Sequence, residues 1–320
     1  MMNRRRFLTL CGAGAAGLSL PVRQLAAKLP PVASLDGEFL VERWSWAMGQ
    51  AVRLRCFAAT EDAGLEAAQA AFATLRSVEK RLTRFDSASD LAELNRRAGG
   101  AAFRAHPEFV AALRLAERFR RLTGGDFNAG VAPLLAAWGF YEPRAAAPGK
   151  VEIDAAREAV RHCRIEIAGS RVRLSTTDSR LDFGGLGVGI GLDRAMASLA
   201  SRGIRRAMLE VSGDIAALGS PPGEPAWVVD IADSARPGTI VDQVKLRNGA
   251  LATSANTVAV VRYGALVRGH VMDPANREQG AVRREQVTVV TDTAVEADAL
   301  STAMLVGGRS WPGVRRSIRP

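Results

Sequence analysis

The sequence is short of cysteine, histidine and long apolar runs, and each shortage closes a class of function. Three cysteines occur in 320 residues, and Cys11 lies in an N-terminal targeting segment. Cys56 and Cys163 alone make neither a disulfide framework nor a thiolate metal centre, although a single disulfide stays open. Beyond the N-terminus no segment approaches about eighteen consecutive apolar residues, so no transmembrane span is expected. The glycine-rich stretch Leu181–Ala195 lacks both a clean G-x-G-x-x-G fingerprint and a P-loop lysine, so its spacing alone does not mark a nucleotide-binding loop. No internal repeat or low-complexity region occurs.

What is there begins with a leader. Arg4-Arg5-Arg6-Phe7-Leu8 precedes an apolar, Gly/Ala-rich run from Thr9 to Leu20, the pattern of twin-arginine export. Residues 1–28 are therefore expected to be removable and the mature protein periplasmic, with cleavage after Ala27 or Ala33. Such export accompanies folding before translocation, which points weakly to a cofactor loaded in the cytoplasm. The formal net charge is +10. Five of those charges, Arg4, Arg5, Arg6, Arg23 and Lys28, sit in the acid-free leader, and Arg309, Arg315, Arg316 and Arg319 make residues 309–320 a basic tail. No basic helix interleaved with aromatics remains, so a mildly positive pocket for an anionic ligand is expected and no nucleic-acid surface.

Residues 29–308 are expected to form one domain. Alternation over Ala51–Cys56 predicts a strand, and the stripe Leu65, Ala68, Phe72, Leu75, Val78 and Leu82 predicts a helix. A short helix is expected over 89–95 and another from Pro107 to about Leu122, closed by Gly124-Gly125. Glu142–Lys150 reads as a flexible loop, and Arg164–Leu174 as a hairpin about Gly169-Ser170. Further strands are expected at 207–211, 227–232, 244–248, 250–254, 258–262 and 286–291, and a last helix at 295–306. Strands and helices mix without strict alternation, so the fold class is α+β rather than doubly wound.

Three stretches carry chemistry. In Leu181–Ala195 five glycines crowd what reads as a strand ending at Phe183 and a helix starting at Leu192. Backbone so bare can cradle phosphate or lend carbonyls to a metal, or it can simply make a tight connection on a sheet. In Glu296–Ala303, Asp298 and Thr302 are four apart and share a helical face. Carboxylate and hydroxyl together suit Mg²⁺; the plain alternative is an aspartate settling the helix N-terminus. His270 precedes a turn fixed by Asp273-Pro274, where it is either a structural hydrogen-bonder or a base.

These stretches occur in order with Thr83-Arg84-Phe85-Asp86, Ser89-Asp90-Leu91, Gly125-Asp126-Phe127-Asn128, Trp138-Gly139-Phe140, Ser212-Gly213-Asp214 and Ala252-Thr253-Ser254. In that order the sequence resembles the ApbE family of FAD:protein FMN transferases, as a divergent member, from Met48 to Gly307. The resemblance implies a T-fold-like arrangement of mixed sheets and helices with the FAD site between two halves. It implies Mg²⁺ held by the Gly185 carbonyl, Asp298 and Thr302, and FAD contacts at Met48, Phe85, Asp126, Phe127, Asn128, Asp182, Val188, Ser254 and Met272. His270 falls at the family's catalytic histidine, with Asp298 acting through the metal. The implied reaction is Mg-dependent transfer of FMN from FAD to a Thr/Ser hydroxyl of a partner electron-transfer flavoprotein, with release of AMP. A flavin-storage protein or an FAD pyrophosphatase is the alternative. Asn128 stands where the family usually has aspartate, Gly130 where it has threonine, Val188 where it has lysine or glutamate, and Ala275-Asn276-Arg277 where it has Arg-Thr-Gly.

Overall fold

The computed structural model describes residues 32–35, 37–236, 238–257, 259–275, 286–310 and 315–319; the twin-arginine segment, Asn276 and Arg277 lie outside them. The described residues begin with three strands, β1 (Val32–Leu35), β2 (Glu38–Ala47) and β3 (Gln50–Ala58). The helices α1 (Glu61–Leu82) and α2 (Asp90–Arg96), the short β4 (Phe103–Arg104) and α3 (Pro107–Leu122) follow. Next come α4 (Ala132–Ala137), α5 (Lys150–His162), β5 (Ile165–Ala168), β6 (Arg171–Leu174) and α6 (Gly187–Ser201). The second half supplies β7 (Arg206–Val211), β8 (Asp214–Leu218), β9 (Trp227–Ala232), β10 (Ile240–Leu246), β11 (Gly249–Ala255), β12 (Val260–Tyr263), β13 (Leu266–Gly269) and β14 (Gln286–Thr291). It closes with α7 (Ala294–Gly307) and β15 (Arg315–Arg319).

Eight strands form one sheet in the order β1-β2-β3-β7-β8-β11-β14-β15, antiparallel throughout. Period-two alternation on β3 sends Val52, Leu54 and Cys56 to the helical side and Ala51, Arg53 and Arg55 to the other. Against the helical side, the alanines of α1 (Ala67, Ala68, Ala71) and its Phe72 and Leu75 pack with Leu192, Ala195 and Leu199 of α6. Small residues let the two helices approach closely, and burial of this apolar face supplies about 25 cal/mol per Å². The second side is covered over β7, β8 and β11 by the β9–β10 hairpin, whose Trp227, Val229 and Ile231 bury against Phe57, Met208, Ile215 and Leu251. The α+β expectation holds: sequential antiparallel strands with segregated helices leave no room for βαβ crossovers.

Several local expectations are corrected. Leu181–Phe183 is not a strand; Asn95 instead satisfies Leu181 on both sides, donating to its carbonyl (2.9 Å) and accepting from its N–H (2.8 Å). The helix after it starts at Gly187, not Leu192. A Cβ on Gly189 would lie 2.5 Å from the Ala294 carbonyl oxygen, so the glycine lets α6 touch the start of α7. The loop after Phe140 ends in a helix, α5, and residues 315–319 of the basic tail pair with β14. Cys56 and Cys163 are unbonded, each buried in a different core cluster, and burial pushes the Cys56 thiol up to about 11.

Candidate functional site

One end of the large sheet forms the floor of a cavity. Val211, Ser212 and Asp214 reach it from the β7–β8 turn, Thr253 and Ser254 from the end of β11, and Gln50 from the start of β3. Ser212 and Gly213 have φ of +49° and +99°, the positive pair that a two-residue hairpin turn between β7 and β8 requires. The walls come from distant chain segments: Asp126, Phe127 and Asn128; Asp182, Gly184, Gly185 and Val188; His270 and Met272; Asp298 and Thr302. Two residues expected at a flavin stay outside this lining. Met48 lies in the β2–β3 turn with its Cε 3.7 Å from where a Cβ on Gly187 or Gly191 would sit, and the exposed Phe85 ring stacks under the Arg84 guanidinium at 4.5 Å.

The last helix presents its donors because other groups cap it. Thr293 accepts from Glu296 N–H, and Asp193 of α6 accepts from Ala294 N–H (2.7 Å) and Val295 N–H (3.0 Å). Asp298 is therefore not spent on the helix terminus. It is 5% exposed, accepts from Gly189 N–H at 3.0 Å, and shares a face with Thr302. Beneath them Ser254 Oγ lies 2.8 Å from Ser301 Oγ and 3.3 Å from Thr302 Oγ1. A Cβ on Gly185 would stand 2.7 Å from Thr302 Oγ1, so bare backbone and a hydroxyl face one another across a narrow gap.

Electrostatics give the site its character. The expectation of a positive pocket fails: the described lining carries Asp126, Asp182, Asp214 and Asp298, with no lysine or arginine. Burial and the neighbouring Asp214 hold the Asp298 carboxyl well above its ordinary pKa, and burial pushes Asp214 up to about 7 against the opposing hydrogen bond from Thr253 N–H. Two such carboxyls meet in one cavity without a basic neighbour, an arrangement a divalent cation would relieve. Among the described residues no group of three or more His, Cys, Asp or Glu could hold a metal. Hard oxygen donors, namely a carboxylate, a hydroxyl and a backbone carbonyl, are what this chain offers, and they fit Mg²⁺ rather than zinc.

His270 stands at the mouth, where part of its ring meets solvent and protein crowds the rest. That desolvation lowers its pKa against the raising effects of a hydrogen bond to the Ala259 backbone and of Asp182, which favours the neutral imidazole. Its backbone N–H bonds Ala259 O (3.0 Å), and the next N–H, of Val271, bonds Asn256 Oδ1 (3.0 Å). Asn128 uses its side-chain oxygen on Gly130 N–H (2.8 Å), which leaves its amide hydrogens for the cavity. Val188 packs partly into the apolar core between sheet and helices. Sequence reasoning gave no site role to Asp214, Gln50 or Thr253; the Ser212-Gly213-Asp214 and Ala252-Thr253-Ser254 stretches were the signals for Asp214 and Thr253, and Gln50 carries none.

Comparison with known proteins now adds the family. Residues 48–314 match the model of the ApbE family. An FAD:protein FMN transferase of Rhodobacter capsulatus is 32% identical over 235 residues, 69% of this chain, and the chain spans only 44% of that relative. One of Treponema pallidum is 26% identical across 95% of this chain and 87% of that protein. The crystal structure of an ApbE protein from Thermotoga maritima superposes with a TM-score of 0.78 at 26% identity, covering 87% of this chain and 94% of that one. An apo flavinyl transferase ApbE from Pseudomonas stutzeri shares the fold, with a TM-score of 0.74 at 21% identity over 88% and 95% of the two chains. A cavity built from seven separated segments, together with a family match running from Met48 into the last strand's approach, places this chain in the ApbE family.

Proposed function

We propose that the protein is an exported FAD:protein FMN transferase, acting in the periplasm and using Mg²⁺. The observation that carries this reading is the buried Asp214–Asp298 pair beside the gap between Gly185 and Thr302: the cavity lining gives these two carboxyls no lysine or arginine, so a cation is what lets them ionise and an anionic pyrophosphate approach. Gly185, Asp298 and Thr302 are the residues that would hold it. A bound Mg²⁺ supplies charge neutralisation and polarisation at the pyrophosphate of FAD.

The chain's own groups do the rest. His270, neutral and at the mouth, accepts the proton of a threonine or serine hydroxyl brought by the partner protein. The hydroxyl oxygen forms a new P–O bond to the phosphorus on the FMN side. The pyrophosphate P–O bond breaks, and AMP leaves with the bridging oxygen. Asp126, Phe127, Asn128, Asp182, Val188, Ser254 and Met272 line the space for FAD, with Met48 and Phe85 as outlying flavin contacts. The partner is proposed to be an electron-transfer flavoprotein with an FMN-attachment threonine or serine.

Incubation of mature protein with FAD, Mg²⁺ and an acceptor domain, followed by intact mass measurement, tests the reading. An acceptor heavier by one FMN, with one AMP released per transfer, supports it. AMP released without acceptor and with no acceptor adduct assigns the chain to FAD hydrolysis instead, and bound FAD without AMP assigns it to flavin storage.

A further inference from the structure

Arg84 and Tyr141 lie outside the cavity lining, yet both close on one of its carboxylates. The Tyr141 hydroxyl donates to Asp182 Oδ2 at 2.7 Å, and Arg84 Nε stands 3.7 Å from the same oxygen. The Arg84 guanidinium lies over two rings, 3.4 Å from the Tyr141 centroid and 4.5 Å from that of Phe85. Such contact fixes a side chain that would otherwise rotate freely. The other carboxylate oxygen, Oδ1, accepts from Gly184 N–H at 2.6 Å, and the Asp182 N–H is tied to Ala129 O at 2.8 Å. Asp182 is thus gripped from four places in the chain: just beyond α1 at Arg84, before α4 at Ala129, in the loop after α4 at Tyr141, and in the turn before α6 at Gly184.

The consequence falls on the next residue. The bond from Gly184 N–H closes a tight turn at the carboxylate, and that turn sets the backbone of Gly185, which faces Thr302 Oγ1. We infer that Arg84 and Tyr141 are positioning residues: by locking the Asp182 carboxylate they hold the Gly184-Gly185 backbone in register with α7, so that the cation-holding oxygens come together before any ligand arrives. The energetic logic is preorganisation, in which a loop ordered beforehand need not be ordered on binding. Burial and Asp182 both raise the Tyr141 pKa, so its hydroxyl stays protonated and keeps donating across the physiological range. This inference rests on the cation reading of the site.

The test is Mn²⁺ titration of the full chain by calorimetry in the presence of FAD, for the parent and for Tyr141→Phe, Arg84→Gln, Arg84→Lys and Asp298→Ala. Loss of the Tyr141 hydrogen bond in Tyr141→Phe, or of the Arg84 ion pair in Arg84→Gln, is expected to weaken Mn²⁺ binding about tenfold. Arg84→Lys, which keeps the cation without the planar fork, should recover part of that loss. The thermal midpoint of Tyr141→Phe should stay within about 3 °C of the parent, which separates misplacement of the turn from unfolding. Parent-like Mn²⁺ affinity in Tyr141→Phe and Arg84→Gln, while Asp298→Ala binds none, overturns the clamp and leaves the cation site standing. No Mn²⁺ binding by the parent overturns the cation reading itself.

Discussion

Replacing Asp214 by asparagine should make the metal-free protein more stable in mild alkali, although the residue lines the proposed active site. The carboxyl sits at the start of β8, and burial raises it from the ordinary value of 3.8 to about 7, with Asp298 raised beside it. A carboxyl whose pKa rises on folding binds its proton more tightly in the native state. Its favourable contribution is therefore complete below the unfolded value, and it is lost as pH climbs through the folded value. A difference of about three units at about 1.4 kcal/mol each sets a ceiling of about 4 kcal/mol between pH 4 and pH 8. The proton steps belong to the Asp214–Asp298 pair, so one substitution removes only part, about 1–3 kcal/mol. Asparagine keeps an oxygen that can accept from Thr253 N–H, now at 3.3 Å. Urea unfolding in EDTA, followed by tryptophan fluorescence at pH 5 and pH 8, measures the effect. The variant should exceed the parent by roughly a third of this amount at pH 5 and by all of it at pH 8, and saturating Mg²⁺ at pH 8 should cancel or reverse the advantage. A variant destabilised equally at both pH values would refute the reasoning, because the carboxyl would then matter as a packing group and not as a buried charge.

Other outcomes follow from the same geometry. Asp298→Ala should abolish FMN transfer to the acceptor and divalent binding together while raising metal-free stability at pH 8, read by mass spectrometry, calorimetry and urea unfolding. His270→Gln should lower kcat about 10²- to 10⁴-fold with little change in FAD affinity measured by flavin fluorescence. In the parent, kcat/KM should fall on the acid side as this imidazole protonates below its lowered pKa. Gly189→Ala should cost about 2 kcal/mol or more in thermal unfolding, since its Cβ would meet Ala294 O and Val295 Cα at 2.5 and 2.6 Å and push α6 off α7.

Much of the fold was legible because local periodicity and burial agree. The α1 stripe reaches the core at Ala68, Phe72, Leu75, Val78 and Leu82, and the α3 face buries Phe109, Leu113, Ala116 and Phe119. Where local signals were ambiguous, tertiary contacts decided. Helix α5 was hidden behind a Pro/Ala/Gly loop, since its buried face consists of Ala156, Ala159 and Val160 and offers little hydrophobic contrast. The glycines at 187, 189 and 191 looked like loop and are helix, because contact with α7 and with Met48 outweighs glycine's poor helix propensity.

The candidate site divides the same way. By itself the sequence determined its donors: Asp298 and Thr302 share a face because of helical spacing, His270 precedes a fixed turn, and the glycines free backbone at one junction. Only the tertiary structure decided that these meet in a single cavity, that Asp193 and Thr293 cap α7 and leave Asp298 free for it, and that four aspartates line a space expected to be positive. Charge composition is a sum over the chain, whereas the field in a cavity depends on which side chains point inward. The many arginines are spread along the sequence, and folding places none of the described ones in the cavity lining.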